Sequence, residues 1–389
     1  MTYSKKSKIK LGVGSNIEST FFMTQEGKKM LKYADLTQGI GAFERTFKNL
    51  DTPFTTMLRL TSEKTSINEC YERLNPAPKF EIYPRTKNWE KILDDTKLKN
   101  LDIVGVTFDI GKEYLLDSEI IKKVEIALKL NPKCIIFDMN KSFLGTKHRK
   151  EFNAIYNELE IAGYKSFYRQ INAYRLASPQ YRERSYLVAF RNDVAENRKF
   201  RFPKTFNSVM KINDIAQNTV DDKYYLSEQE QQKIIDEMNE VEKFSCCYPQ
   251  LHLEKLVVGN NNRKNRRVAS SVAGRVYSVQ GLVGSVEWKH SINSVPKIVK
   301  LNGDIPGRRD VVLEEVLHGN YSNYDSKQII RRLTPLEVWL LNGYLHDDFE
   351  KCREEMTDID LYNNVGSIMI YPLDEIMINV LAFLEGVEN

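Results

Sequence analysis

The first residues able to do chemistry form a glycine turn near the start of the chain. Residues 33–36 make an apolar run of strand length, and Gly39 and Gly41 follow within five residues. Glycines placed directly after a first strand let the backbone approach a ligand closely, a geometry that many nucleotide-binding folds share. A turn glycine with a purely structural role would explain the same residues equally well, so the turn alone is a weak signal.

The second group is a cationic cluster later in the chain. Arg263, Lys264, Arg266 and Arg267 follow a Gly/Asn-rich run at residues 259–262. Arginine and lysine concentrated on such a loop are what phosphate binding requires. A solvated surface loop is the alternative, and the charge run alone does not decide between them. The net charge of +4 is too small to identify a polyanionic partner.

The elements that must position these residues alternate along the first half of the chain. Short apolar runs at residues 33–36, 103–107, 134–137 and 186–190 have the length of buried strands. One-sided apolar spacing predicts two helices between them, which favours an α/β fold with a parallel sheet. The predicted inward faces are Ile120, Ile121, Val124, Ala127 and Leu128 in one helix, and Phe152, Ile155, Tyr156, Leu159 and Ala162 in the other, which Gly163 closes.

The pattern changes after residue 190. Residues 191–222 are polar and irregular and predict a linker from the large domain, residues 1–190. Residues 223–325 combine a glutamine-rich helix at 227–241 with short β-like runs such as 275–279, which indicates a smaller mixed domain.

Regular structure resumes in residues 326–389, which we expect to return into the large domain. Thr334, Pro335 and Glu337 have the spacing of a capping box, and that helix should end near Gly343. A last helix is predicted to begin near Pro372. Its inward residues are Leu373, Ile376, Met377, Val380 and Leu384.

Composition fits a cytoplasmic protein without a membrane segment or a metal. A chain of 389 residues with 41% hydrophobic and 28% charged residues has room for one large core and a smaller module. No apolar run approaches the roughly 20 residues that cross a bilayer, and no signal-peptide core follows the N-terminus. The five cysteines show no metal-ligand spacing and suit a reducing compartment; the adjacent Cys246 and Cys247 are more readily two buried or half-buried thiols than a redox pair.

Four further motifs, in chain order with the glycine turn, resemble those of DNA cytosine-5 methyltransferases. They are the Gln-x-Arg-x-Arg element Gln180-Tyr181-Arg182-Glu183-Arg184, the run at 276–282, Arg332-Leu333-Thr334-Pro335-Leu336-Glu337 with Gly343 following, and Val365-Gly366-Ser367-Ile368. The resemblance covers residues 33 to about 385. It implies a Rossmann-like methyltransferase sheet with helices on both faces, plus a target-recognition domain at 223–325 that holds double-stranded DNA in the cleft between the two.

The resemblance also implies a site. In this family a cysteine thiolate attacks cytosine C6, a glutamate binds N3, and S-adenosylmethionine supplies the methyl group. The carboxylate corresponds to Asp138, and the motif's two arginines are Arg182 and Arg184, of which the second would hold cytosine O2. The implied cofactor-binding residues are Asp35, Gly39, Gly41 and Glu63, the last for the ribose hydroxyls.

The departures from the family fall on this chemistry. Residues 108–111 read Phe-Asp-Ile-Gly where the family has Phe-Pro-Cys-Gln, so Ile110 stands at the nucleophile position. Asp138 replaces the glutamate, Gly284-Ser285-Val286-Glu287 replaces Pro-Thr-Leu-Thr, and the closing segment at 365–367 lacks its asparagine. Thr37 stands where the family has phenylalanine, which removes an aromatic contact to the cofactor.

We therefore hypothesise a full-length but degenerate, catalytically inactive homologue that acts as a DNA-binding or partner subunit, beside an active methyltransferase paralogue. Binding of S-adenosylmethionine is expected to be weak or absent. The alternative is an active DNA cytosine-5 methyltransferase, as a heteromer whose partner supplies the nucleophile. A hydrolase built on Asp109 and Lys112 has only a loose Asp-x-x-Lys spacing in its favour.

Overall fold

The computed structural model describes residues 29–83, 89–108, 118–206, 210–231, 257–260, 275–279, 281–286, 295–299 and 330–387. The large sheet contains β1 (Leu31–Leu36), β2 (Phe54–Leu60), β3 (Phe80–Ile82), β4 (Ile103–Phe108), β5 (Cys134–Asn140), β6 (Tyr164–Asn172) and β7 (Glu183–Arg191). The helices of the same half are α1 (Ala42–Asn49), α2 (Thr65–Leu74), α3 (Trp89–Leu93), α4 (Ser118–Lys129), α5 (Arg149–Ile161) and α6 (Asn192–Ala195).

The order of the seven strands is β3-β2-β1-β4-β5-β7-β6. Strands β1 to β5 run parallel, whereas β7 runs antiparallel to both of its neighbours, β5 and β6. The chain reverses its direction of travel between β1 and β4, and in open α/β sheets ligands bind outside the carboxyl ends of the strands at such a switch point. The predicted α/β, Rossmann-like sheet is confirmed.

Helices cover both faces of this sheet. A hydrophobic core lies on each face of the sheet. Neighbouring residues of one strand belong to different cores, because successive side chains of a strand point to opposite faces. Tyr33 belongs to a core with α1, and Ala34 to a second core that contains residues of α3, α4 and α5. Buried apolar residues on both sides explain why these strands read as continuous apolar runs.

The predicted helix faces are partly wrong in detail. In α4, Val124 and Ala127 are buried, but Ile121 is 44% exposed and Ile126 takes the inward position. Ile120 is partly buried against the second core, whereas Ile121, about 100° further round the helix, lies on the solvent side. Ala162 follows the end of α5 and is exposed, and Gly163 closes that helix with a φ of 83°.

The C-terminal segment contains four helices: α7 (Pro335–Leu341), α8 (His346–Arg353), α9 (Asp358–Asn364) and α10 (Ile370–Leu384). The capping box of α7 is confirmed: the Glu337 amide donates to Thr334 Oγ1 at 3.2 Å, and the Thr334 amide donates to Glu337 Oε2 at 2.7 Å. In α10, Phe383 is buried and Leu384 only half-buried, the reverse of the prediction for that last turn.

A second, four-stranded sheet has the order β11-β10-β9-β8. Its strands are β8 (Val257–Asn260), β9 (Arg275–Ser278), β10 (Lys297–Val299) and β11 (Ile330–Arg332). Strand β9 coincides with the predicted β-like run. Strand β11 lies past residue 325, so the pairing of this sheet extends beyond the predicted domain of residues 223–325. Residues 232–241 of the predicted glutamine-rich helix lie outside the described residues.

Two cysteines distant in sequence meet in the fold. Cys70 of α2 and Cys352 of α8 form a disulfide with a Cα–Cα distance of 5.3 Å across a separation of 282 residues. The sequence predicted reduced thiols and not this disulfide. The pairing depends on the packing of α8 against α2, which is not visible in the sequence. Among the residues given above, none of the helices has the length and apolar composition needed to cross a membrane.

Candidate active site and cofactor crevice

A buried ion pair joins the ends of β5 and β7. The two strands pair so that Arg184 stands opposite Asn140, which makes Asp138, two residues earlier, its diagonal neighbour on the same face. The Arg184 Nε donates to Asp138 Oδ1 at 2.6 Å, and the two side chains are 3% and 0% exposed. The structure thus brings together the carboxylate and the second arginine of the predicted site.

Thr107 of β4 completes this unit, and the sequence analysis missed it. Its hydroxyl donates to the Asp138 carbonyl oxygen at 2.9 Å, and Arg184 Nη2 donates to the same hydroxyl at 3.4 Å. The only sequence signal is its position directly before Phe108. Three strand ends therefore hold the guanidinium by charge and by hydrogen bonds, so its orientation is set by the protein itself.

Arg182 has a different place from Arg184. Its guanidinium donates to the backbone oxygens of Val286 (3.2 Å), Ser367 (3.4 Å) and Gly366, and to Asn342 Oδ1 at 3.5 Å. The side chain is buried. Arg182 therefore clamps three distant segments of the chain together at the edge of the site.

The segment that aligns with the family's Pro-Thr-Leu-Thr lies along the Gln-x-Arg-x-Arg element. The Val286 amide donates to Gln180 Oε1 at 3.0 Å, and the Tyr181 amide donates to the Val283 oxygen at 2.8 Å. The Val283 amide in turn donates a hydrogen bond to the Pro179 oxygen at 3.1 Å. These bonds place residues 283–286 directly beside Arg182.

The glycine turn lies at the carboxyl end of β1, beside the switch point. Asp35 is fully buried and accepts a hydrogen bond from the Thr37 amide at 2.8 Å, and the Gly39 amide donates to Thr37 Oγ1 at 3.3 Å. Burial raises the pKa of Asp35 above its usual range, against the lowering effect of the hydrogen bonds from Thr37. The residues that shape the turn thus use polar atoms for internal bonds.

The two glycines differ in role. Gly41 has a φ of 94°, and a Cβ there would lie 2.3 Å from Asn75 Nδ2, so the structural explanation accounts for it. A Cβ on Gly39 would meet Thr37 Oγ1 at 3.4 Å and Ser367 Oγ at 4.0 Å, which are ordinary contacts. Gly39 therefore marks where the closing segment approaches the turn.

Glu63 lies on the loop that follows β2, at the same edge of the sheet, and its side chain is exposed. Asn68 braces this loop: its Oδ1 accepts from the Ser62 amide at 3.0 Å, and its Nδ2 donates to the Ser62 oxygen at 2.9 Å. Gln38 Nε2 donates to the Thr61 oxygen at 3.3 Å and links the loop to the glycine turn. The acid and the turn are thus held side by side.

A buried acid beneath the turn was also missed. Glu44 of α1 accepts hydrogen bonds at Oε1 from the Tyr71 hydroxyl (2.9 Å) and the Thr56 hydroxyl (3.3 Å). Desolvation by burial, and then the nearby Asp35, raise the pKa of Glu44 to about 8. Glu44 is therefore mostly neutral at pH 7 and ties α1 to β2 and α2.

Several predicted residues lie outside the described part of the chain. They are Asp109, Ile110, Gly111 and Lys112 of the nucleophile loop, Glu287, the cationic cluster Arg263, Lys264, Arg266 and Arg267, and the adjacent cysteines Cys246 and Cys247.

The described cysteines are buried or joined in a disulfide. Cys134 begins β5 four residues before Asp138, which is about 13 Å along a strand. It is fully buried, and desolvation raises the pKa of its thiol well above the ordinary value. The remaining two, Cys70 and Cys352, are joined to each other. Within the described ranges, no group of three or more His, Cys, Asp or Glu side chains is placed to hold a metal ion.

Residues 117–377 match the family described as C-5 cytosine-specific DNA methylase, and the chain belongs to that family. The matched region begins after Ile110, the predicted nucleophile position, and includes the predicted site residues Asp138, Arg182 and Arg184. The orphan methyltransferase M.SPBetaI of Bacillus phage SPbeta is 23% identical over 305 residues, which cover 64% of this chain and 66% of that relative. The orphan methyltransferase M.SPRI of Bacillus phage SPR is 22% identical, with 89% of this chain and 96% of the relative covered.

The solved structure of the S. pombe Dnmt2 methyltransferase has a similar fold. It superposes with a TM-score of 0.59 at 14% sequence identity, covering 91% of this chain and 98% of that one. At this identity the likeness concerns the fold alone.

Proposed function

We propose that this chain is a catalytically inactive member of its family that binds duplex DNA and acts as a cytoplasmic partner subunit of an active methyltransferase. The observation that carries the proposal is a buried ion pair, Asp138 and Arg184, at the positions that the resemblance assigns to base recognition; we call it the base-recognition pair. Asp138 and Arg184 are assembled at the strand ends, whereas Ile110 stands where the family has cysteine, and Cys134 lies buried about 13 Å along β5. Without a thiolate, the covalent step of the family mechanism has no substitute group.

The base pocket itself supports inactivity. A glutamate reaches one methylene further than Asp138, which in this chain is bonded to Arg184 at 2.6 Å. Arg184 also bonds Thr107, so the cation is engaged within the protein. Both side chains are at most 3% exposed, and a cytosine would have to compete with an existing buried ion pair. We infer that the pocket holds a flipped base poorly.

The family's cofactor, S-adenosylmethionine, fits the crevice only in part. Glu63 is exposed at the correct strand end for the ribose hydroxyls, and the Gly39 backbone borders the crevice. Asp35 and the Thr37 hydroxyl are engaged in bonds that shape the turn, and no aromatic side chain stands at position 37. When bound, the cofactor would supply the methyl group; Glu63 and the turn would orient it.

We therefore expect calorimetry to give a millimolar or undetectable dissociation constant for S-adenosylmethionine. Thr37→Phe should strengthen binding roughly two- to tenfold, because an aromatic contact is worth about 0.5–1.5 kcal/mol. Glu63→Ala in that background should reverse the gain. A micromolar constant for the unchanged chain would contradict the expectation.

Binding of duplex DNA is proposed to depend on the cationic cluster of residues 263–267. Replacing Arg263, Lys264, Arg266 and Arg267 together by alanine should weaken binding strongly. The log–log salt dependence should flatten by roughly two to four units, since each neutralised phosphate contributes about 0.9. Fluorescence anisotropy of a labelled duplex at several salt concentrations measures both quantities.

Thermal unfolding of this fourfold variant should match that of the unchanged chain, which serves as the control for folding. An unchanged affinity and slope would show that the loop is only a solvated surface.

The second candidate function is that of an active heteromer. It is favoured by the ion pair and hydrogen bonds that hold Asp138, Arg184 and Thr107 together. It predicts that an active paralogue gains methyl transfer when this chain is added, and that Arg184→Met removes the gain. Co-purification from the native host, with identification of the bound proteins, tests whether such a partner exists.

A further inference from the structure

A second concentration of positive charge follows β5 on the large domain. Residues 141–150 contain Lys141, Lys147, Arg149 and Lys150, and Glu151 is the next residue. The side chains of Lys141, Arg149 and Lys150 are exposed, and we name these three residues the α5 patch. Neither the glycine turn nor the base-recognition pair makes use of them.

The patch lies at the same strand edge as the candidate site. Lys141 comes three residues after Asp138, at the carboxyl end of β5. Its ammonium pairs at 3.2 Å with Glu183, which lies between Arg182 and Arg184 in sequence. Lys141 is thus held close to the arginine-bearing element of the site.

Short, bonded turns hold the rest of the patch. Asn140 Oδ1 accepts from the Ser142 amide at 3.1 Å, which fixes the first turn after β5. His148 is 5% exposed, and its ring lies 6.1 Å from that of Phe143. His148 directly precedes α5, so Arg149 and Lys150 are the first two residues of that helix.

Lys141 is paired with Glu183, and the charges of Arg149 and Lys150 are available for an external anion. In the described part of the chain, neither Arg149 nor Lys150 has a salt-bridge partner, and the amino end of α5 adds a partial positive charge. Glu151 in the same turn and Glu183, which pairs with Lys141, reduce this field without cancelling it, since the patch has three cations against these two carboxylates. Guanidinium and ammonium groups exposed on a rigid edge are suited to phosphate oxygens.

We infer that the α5 patch binds backbone phosphates of the duplex from the large-domain side of the cleft. The inference rests on the proposed function, that the chain binds DNA. It adds a contact surface that is separate from residues 263–267 and lies beside Asp138 and Arg184. The patch would set the position of the duplex without reading its sequence, because phosphate contacts carry no base information.

The test compares two double variants of the full chain by anisotropy over a range of salt. Arg149→Ala with Lys150→Ala should lower affinity for a mixed-sequence duplex and flatten the log–log salt slope by about one to two units, at about 0.9 per phosphate. The control is Lys32→Ala with Lys97→Ala, which removes two exposed lysines, one near the amino end of β1 and the other in the turn that precedes β4. The control variant should retain the unchanged slope.

The outcomes separate the two proposals. If the unchanged chain binds DNA and the patch variant has the slope of the control, the patch inference is overturned and the proposed function stands. If the unchanged chain binds no duplex, both fail together. A second readout is protection of Lys150 from acetylation by bound duplex, measured by mass spectrometry; equal modification with and without DNA would also overturn the inference.

Discussion

Incubated with labelled S-adenosylmethionine and a mixed-sequence duplex, the isolated protein is expected to transfer no methyl group above a no-protein control. Ile110 has no lone pair with which to attack cytosine C6, and the described cysteines are buried or paired. An arginine such as Arg184 stabilises charge only after such an attack has created it. We therefore expect methyl transfer to be absent, not merely reduced.

Ile110→Cys alone should not restore transfer. Asp109 and Gly111 also depart from the family, and Val286, in the segment that replaces Pro-Thr-Leu-Thr, is bonded to Gln180. A relative with an intact Phe-Pro-Cys-Gln serves as the positive control for substrate and label. Incorporation by the unchanged chain would refute the proposed inactivity, and incorporation by the single variant would show that only the nucleophile is missing.

The second large effect concerns stability. Arg184→Met should lower the free energy of unfolding by about 3–5 kcal/mol. The substitution would leave the carboxylate of Asp138 buried without a compensating positive charge. Asp138 is fully buried and bonded to Arg184 at 2.6 Å. Urea denaturation followed by circular dichroism measures the change.

The matched control is Arg191→Met, at the other end of β7. Arg191 pairs with Asp193 at a similar distance, 2.7 Å, but Asp193 is 63% exposed. An exposed pair contributes about 0–1 kcal/mol, so this variant should change stability little. Equal costs for the two variants would show that the Asp138 pair is no more than another surface contact. Replacing Asp138 and Arg184 together by leucine and methionine should recover much of the loss.

The sequence by itself determined the local elements and the family. The apolar runs at 103–107, 134–137 and 186–190 became strands, and Thr334 with Glu337 formed the capping box. These predictions succeed because strand burial and helix capping depend on residues a few positions apart. The order of the motifs identified the family for the same reason, since each motif is short and continuous.

Only the tertiary structure decided which residues meet. Asp138 bonds Arg184 across 46 residues, and Cys70 joins Cys352 across 282. These distances follow from the strand order and the packing of helices, which no local pattern encodes. The same cause explains why Gly41 proved to be structural: its contact is Asn75, which α2 brings back beneath the turn.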